Sequence, residues 1–437
     1  MQAGKALAGP SGVDSMLSNC SKVDRGNKKN SKKKKKKKRG GSKRKMTPEQ
    51  AGAFRAILDW VYSDKKVPAE FEEAVFRGQG RLVFELHSHS KCSDGFMSPT
   101  GLVDRAHSQG VKVLALTDHD TLAGIPEAVE AASRYDMRII PGVEISTIFV
   151  SQETETEEPV HILAYYSSCG ASRHNELEVF LENIRNGRYI RAKEMVSKLN
   201  KLGAPIKWES VTRIAGAGVA PGRLHVARAL VEAGYVENLK QAFTRYLYDG
   251  GPAYSTGSEP VAQEAIQMVR KTGGLAVLAH PWALKAPVAI IKNLADAGLH
   301  GVEVYRSDGK LSVFSDLADT YGLLKLGGSD FHGRGNSESE LGSVNIPVLD
   351  VHEFLVVARP LWLDSLKMAI SNYIEDPTAS NLATVTKFGP RSILNGQFQS
   401  KFDLIDSLMS HWLTEEERQT PDFEVLKLKF SKEILKC

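Results

Sequence analysis

Residues 111–120 read VKVLALTDHD, an almost unbroken apolar run that stops abruptly at Thr117, Asp118, His119 and Asp120. The run is too short for a helix and lacks alternation, so it predicts a strand buried on both faces. The same design recurs in RLVFELHSH (81–89), MRIIPGVEIS (137–146), VHILAYY (160–166), GLAVLAHPW (274–282), LHGVEVY (299–305) and LLKLGGSDFHG (323–333). Helical stretches intervene, one following Pro99 through Ala106 and another from Ile125 to Tyr135. Strands alternating with helices imply a parallel sheet covered on both faces. Polar, ligand-type residues at the strand ends imply an α/β barrel, whose chemistry gathers at the C-terminal edge of its strands.

Around this body the pattern changes. Thr47, followed by Pro48 and Glu49-Gln50, predicts a capped helix running through Ala51 to about Tyr62. Between Ser172 and Gly257 the stretches ELEVFLENIRNGRYIRAKEMVSKLNKL and GRLHVARALVEAGY have helical periodicity and no intervening strand, which reads as a helical insertion. The expected division is a Lys-rich tail (1–46), a helical segment (47–80), the first part of the barrel (81–171), an insertion capping the substrate (172–257), the second part of the barrel (258–347) and a C-terminal extension (348–437). The extension has helical pieces but no motif that suggests a role.

Charge separates the tail from the body. Residues 1–46 carry sixteen Lys/Arg against Asp14 and Asp24, whereas the remaining 391 residues hold 41 basic and 50 acidic side chains. The run Lys32 to Lys38 repels itself and carries no apolar material, so the tail is expected to be disordered. It would serve as a nuclear-localisation signal or an arm that attracts nucleic acid. No run approaches the roughly 18 to 20 apolar residues of a membrane span, and no apolar signal stretch opens the chain. A soluble protein of the nucleus or cytoplasm is expected. Cys20, Cys92, Cys169 and Cys437 form no CxxC pair, which argues against a disulfide framework or a zinc knuckle.

The chemistry rests on a coincidence of positions. His87 and His89, Ser93-Asp94-Gly95, Asp118-His119-Asp120, Glu144, His280 and Asp330-Phe331-His332 all fall at strand ends, and His161 begins another strand. Alternation along a strand puts His87 with His89, and Asp330 with His332, on one face. Any one strand histidine is ordinarily a satisfied core group, and a lone TDHD is ordinarily a capped turn. So many beside acids at one barrel edge resist that explanation. Imidazole and carboxylate without thiolate suit Mn²⁺, Zn²⁺ or Fe²⁺ in an open, multinuclear site. Cations so held activate water and neutralise phosphate oxygens, so ester hydrolysis needs no separate nucleophile. The chain has no CX5R, GxSxG or GxxxxGK[ST] motif to indicate another mechanism.

HSHSKCSDG, TDHDT, PGVEIS, AHPW and GGSDFHG, in this order over about residues 82–345, resemble the polymerase and histidinol phosphatase (PHP) family. The resemblance implies a distorted (β/α)7 barrel with two or three metal ions, Mn²⁺ first among them. It implies the ligands His87, His89, Asp94, His119, Glu144, His161, His280, Asp330 and His332, with Asp94, His119, His280 and His332 also in catalytic roles. Asp118 and Asp120 would support the ligands from behind. The insertion is similar to that of the branch containing nucleoside 3′,5′-bisphosphate phosphatases and a 5′→3′ exoribonuclease, in which arginines hold substrate phosphate. Here Arg188, Arg191 and Arg223 fit that part, and guanidinium forks suit phosphate. The expected reaction is hydrolysis at the 5′ phosphate of a nucleotide or at the 5′ end of a short RNA, with the arginines on a neighbouring 3′ phosphate. The competing expectations are a small-molecule phosphatase of the histidinol phosphate type, and a nucleic-acid-binding protein working through its Lys-rich arm.

Overall fold

The computed structural model describes residues 46–434, apart from residue 64 and residues 77–80, 151–156, 258, 309–312 and 336–337. The Lys-rich run expected to form a targeting arm lies outside the described residues. Seven strands form one sheet in sequence order: β1 Val83–Glu85, β2 Val111–Leu116, β3 Arg138–Val150, β4 Glu157–Tyr165, β5 Leu275–Leu278, β6 Gly301–Tyr305 and β7 Leu324–Gly327. Beyond the ends of β1 and β7 the chain pairs again. Ser88 and Phe331 make a parallel bridge, the His89 N–H donates to the Phe331 carbonyl (2.9 Å) and the Asp330 N–H to the His87 carbonyl (3.0 Å). These bonds join the sheet's two edges into a barrel. Gly328 permits the approach, since a Cβ there would stand 2.3 Å from the His87 Cβ.

An all-parallel sheet, as the alternating pattern suggested, is not what forms. β4 runs antiparallel to both β3 and β5. Its register with β3 runs from Val150 opposite Glu157 to Gly142 opposite Tyr165. Only six residues separate the two strands in the chain, whereas a parallel crossover needs about a dozen. The reversal carries the start of β4, not its end, to the edge where the other strands finish.

The sheet divides its side chains between two apolar layers. Val113, Ala115, Leu163, Val277 and Leu326 face one cluster, while Leu114, Leu116, Val143 and Ile145 join the other with the surrounding helices. The first cluster takes in Phe54, Ile57 and Trp60 of helix Pro48–Val61 and Phe354, Leu355 and Trp362 of helix Val348–Glu375. The first of these helices starts as its sequence predicts. Thr47 Oγ1 accepts from the Gln50 N–H (3.2 Å), and Gln50 Oε1 accepts from the Thr47 N–H (3.0 Å). Trp362 Nε1 donates to the carbonyl of Tyr165, the last residue of β4 (3.2 Å), so helix Val348–Glu375 closes the barrel end opposite the ligand-bearing edge. Trp362→Ala should therefore cost about 3–5 kcal/mol of stability, read as a shift in denaturant midpoint, with cation content unchanged.

Between β4 and β5 the chain is helical: His174–Lys201, Trp208–Ala215 and Arg223–Glu232, then Leu239–Ala242 continued by a π turn at Phe243–Leu247, and last Ala262–Lys271, which packs on the barrel. The long first helix spans two cores. Leu177, Leu181 and Ile184 pack on the barrel, and Met195, Val196 and Leu199 pack with Val211, Val226 and Leu230. Among the described residues no helix is long and apolar enough to cross a membrane.

Candidate metal centre

His87 and His89 leave β1 with their Nε2 atoms 3.1 Å apart. Both reach Glu144 Oε2 on β3, at 3.2 and 3.0 Å, and Asp330 Oδ1 beyond β7, at 3.4 and 3.2 Å. The other Glu144 oxygen meets His161 Nδ1 (2.8 Å) and His280 Nε2 (3.0 Å), and His119 Nε2 lies 3.5 Å from Oε2. Asp94 Oδ1 lies 3.2 Å from His332 Nε2. Five of the nine residues that the family resemblance implies as ligands thus surround the Glu144 carboxylate, and Asp330, Asp94 and His332 join through His87, His89 and His119. His161 is among them because β4 runs backwards and pairs His161 with Ser146, two residues past Glu144.

The donor atoms form three overlapping groups, each within 4.8 Å: His87, His89, Glu144 and Asp330; His89, Asp94, His119 and His332; His119, Glu144 and His161. His280 stands beside Glu144 but outside these groups. His89 Nδ1 and His119 Nδ1 are buried with no hydrogen-bond partner among the described residues, a costly arrangement for a purely structural cluster. Nitrogen and oxygen donors at this density fit divalent cations.

The electrostatics agree. Burial alone would raise both acids, but His119, His87 and His161 hold Glu144 well below the usual carboxylate range, and His332 with His119 does the same to Asp94. Burial disfavours a charged His89, yet hydrogen bonds to Asp330 and Glu144 outweigh it and push its pKa up to about 10. Burial drives His119 well below its ordinary value, leaving a neutral imidazole suited to ligation. A cation must displace the His89 proton to bind. Uptake should release protons and strengthen as pH rises from about 6 to about 9, measurable by calorimetry in buffers of different ionisation enthalpy.

Further carboxylates hold the donors in place. Asp118 accepts from the Ser90 N–H and from the Ser90 and Ser93 hydroxyls (2.6–2.7 Å), fixing the loop that leads to Asp94. Asp120 accepts from the Ser146 N–H and hydroxyl (2.8 and 2.9 Å). Glu303 was not singled out in the sequence. It is buried on β6, with Oε1 3.2 Å from His87 Nδ1, and Oε2 accepts from the His280 N–H (2.7 Å). It orients the His87 imidazole and fixes the His280 backbone at once, so Glu303→Gln should weaken cation binding about 10- to 100-fold, measured by competition with a chelator. An acid inside the apolar run GVEVY was the available signal. Asp120, His280 and Asp330 have φ of 55°, 28° and 52°, and they are the only non-glycine residues with positive φ among those described. Strained backbone is thus concentrated at this centre.

A cavity of about 530 Å³ opens over the centre. Asp94, His119, His280 and His332 line it, as do Arg188, Arg191 and Arg223, whereas His87 and His89 are buried beneath. Arg188 is buried, Arg191 nearly so and Arg223 partly exposed. Each has a carboxylate partner: Arg188 Nε is 2.5 Å from Asp120 Oδ2, Arg191 pairs with Glu259 and Arg223 with Asp249. Phe243, Tyr254, Lys285 and Arg334 line the same space and were not expected from sequence.

Barrel and donor set together define a metal-dependent phosphoesterase. Residues 85–206 match the PHP domain family model, and the chain belongs to that family. It is 35% identical over 257 residues to a 5′-3′ exoribonuclease of Haemophilus influenzae, covering 57% of this chain and 89% of the relative. It is 32% identical over 285 residues to a 3′,5′-nucleoside bisphosphate phosphatase of Chromobacterium violaceum, covering 64% of this chain and 94% of the relative. The solved structure of a metal-dependent phosphoesterase from Bifidobacterium adolescentis superposes with a TM-score of 0.55 at 30% identity, covering 63% of this chain and 96% of that one.

Proposed function

We propose that this protein hydrolyses a phosphate ester on a nucleotide that carries a second phosphate, either a nucleoside 3′,5′-bisphosphate or the 5′ end of a short RNA. One observation carries the reading: candidate metal ligands and three arginines line a single cavity. One phosphate faces the centre and the other is gripped by Arg188, Arg191 and Arg223, whose forked donors match its oxygens. Their present partners, Asp120, Glu259 and Asp249, keep the guanidinium groups positioned until phosphate arrives.

His87, His89, Glu144 and Asp330 would hold one cation, His89, Asp94, His119 and His332 a second, and His119, Glu144 and His161 a third, with His280 alongside. Mn²⁺ is our choice for this nitrogen and oxygen donor set. Bound there, the cations supply Lewis acidity and an activated water. Asp94, His119, His280 and His332 line the cavity together with Glu144, His161 and Asp330, and these first four are given the roles that face the reacting ester. The Lys-rich segment would draw RNA towards the protein or direct it to the nucleus.

The test uses protein stripped with chelator and resupplied with Mn²⁺, beside an Asp330→Ala, His332→Ala control. Adenosine 3′,5′-bisphosphate and a short 5′-phosphorylated RNA are the substrates. Adenosine 3′-phosphate as product puts the 5′ ester at the centre and the 3′ phosphate on the arginines. Adenosine 5′-phosphate reverses the nucleotide, which is also the orientation needed to remove a 5′-terminal nucleotide. Turnover of neither substrate above the control removes the nucleotide assignment.

A further inference from the structure

The centre opens on a second cavity, of about 200 Å³, which shares Asp94, His119 and Arg188 with the first. The rest of its wall differs: Arg185, His225 and the small residues Ala123, Ala217, Gly218 and Ala220. Asp94 is its only carboxylate among the described residues, whereas Glu157, Asp249 and Glu259 offset the arginines of the first cavity. Arg185 is held by the Asp120 carbonyl (2.8 Å) and by Glu178 (2.6 Å). His225 Nδ1 accepts the Gly222 N–H (2.9 Å) and its protonated ring nitrogen is held by the Ser93 backbone, so the cationic donors of this wall are Arg185 and Arg188. This wall favours an anion.

Size separates the two spaces. Small-ligand pockets run from about 300 to about 1,000 Å³. The first cavity falls in that range, and the second is too small to enclose another nucleotide. It has no Phe, Tyr or Trp among its described lining residues, and so no platform on which a base would stack. Small side chains beside fixed cationic donors suit a sugar–phosphate strand passing through.

We propose that the second cavity is the path taken by an RNA chain beyond the bond being cut, so that the centre can work on oligonucleotides as well as on bisphosphates. This rests on the nucleotide reading above. The 5′-terminal nucleotide occupies the first cavity with its 5′ phosphate on the arginines. The water oxygen adds to the next phosphorus, and the bond from that phosphorus to the terminal nucleotide's 3′ oxygen breaks. That oxygen takes a proton, a nucleoside 5′-phosphate is released, and the shortened chain in the second cavity keeps a new 5′ phosphate. A bisphosphate has no such chain and does not need the path.

Ala217 and Ala123 are exposed residues of the second cavity's wall in two different turns, and neither lines the first cavity. Ala217→Trp and Ala123→Trp, made separately in the full chain, should obstruct only the strand. Shortening of a 5′-phosphorylated RNA should fall about tenfold or more, while turnover of adenosine 3′,5′-bisphosphate stays within about twofold. The retained bisphosphate turnover also reports that each variant has folded. Equal loss of both reactions, or no loss of RNA shortening in either variant, overturns the proposal. So does an unaltered enzyme that hydrolyses the bisphosphate but leaves RNA intact. If the unaltered enzyme does neither, the nucleotide reading itself has failed.

Discussion

Glu144→Gln should reduce kcat by roughly 10³-fold or more, because a bound divalent cation is worth several kcal/mol of transition-state stabilisation and each 1.36 kcal/mol is tenfold. The position is exceptional in this molecule. One carboxylate, fully buried, stands within 3.5 Å of nitrogens from His87, His89, His119, His161 and His280. It belongs to two of the three donor groups, so neutralising it strikes more than one cation. Glutamine keeps the shape and a single oxygen acceptor, so β3 has no reason to unfold. Cation content per chain should drop with kcat, and thermal melting of the chelated protein should be little changed. Full activity with full cation content would remove Glu144 from the centre.

The second large effect belongs to the arginines. A hydrogen bond to a charged group contributes about 1.5–3 kcal/mol, so each guanidinium gripping phosphate is worth roughly 10- to 150-fold. Neighbouring residues do not add independently, so the triple variant Arg188→Gln, Arg191→Gln, Arg223→Gln should lose about 10²–10³-fold in kcat/KM on adenosine 3′,5′-bisphosphate. Most of the loss should appear in KM, since these groups hold the phosphate that does not react. Turnover of a nucleoside monophosphate at saturating substrate should change little. Steady-state kinetics on both substrates make the comparison. An unchanged KM for the bisphosphate would return the three arginines to a structural role with Asp120, Glu259 and Asp249.

Much of this centre is legible in the sequence, because strand geometry is local. A period of two explains why His87 and His89 share a face, and the Thr47–Gln50 cap follows from four adjacent residues. The (β/α)7 expectation agrees with seven strands in order, but a period says nothing of strand direction. The reversal of β4 follows from its short link to β3, and it explains how His161 reaches the site beside Glu144, which lies midway along β3. Glu303 escaped notice because its meaning lies in His87 and His280, which approach only once the barrel has closed. The positive φ of Asp330 and His280 was equally invisible, since only the folded surroundings can hold such a backbone. The C-terminal helices carry no motif. The first of them, Val348–Glu375, fills the barrel floor with Phe354 and Trp362, a matter of volume that no short pattern records.

The central claim is that these nine residues hold a multinuclear centre on which activity depends. It is tested most directly by titrating Mn²⁺ into chelator-stripped protein while recording the electron paramagnetic resonance spectrum and phosphate release on the same samples. The account predicts two or three Mn²⁺ per chain, a spin-coupled signal from neighbouring ions, and activity that rises with that signal. A single uncoupled Mn²⁺ per chain, or full phosphate release from the stripped protein, would contradict it.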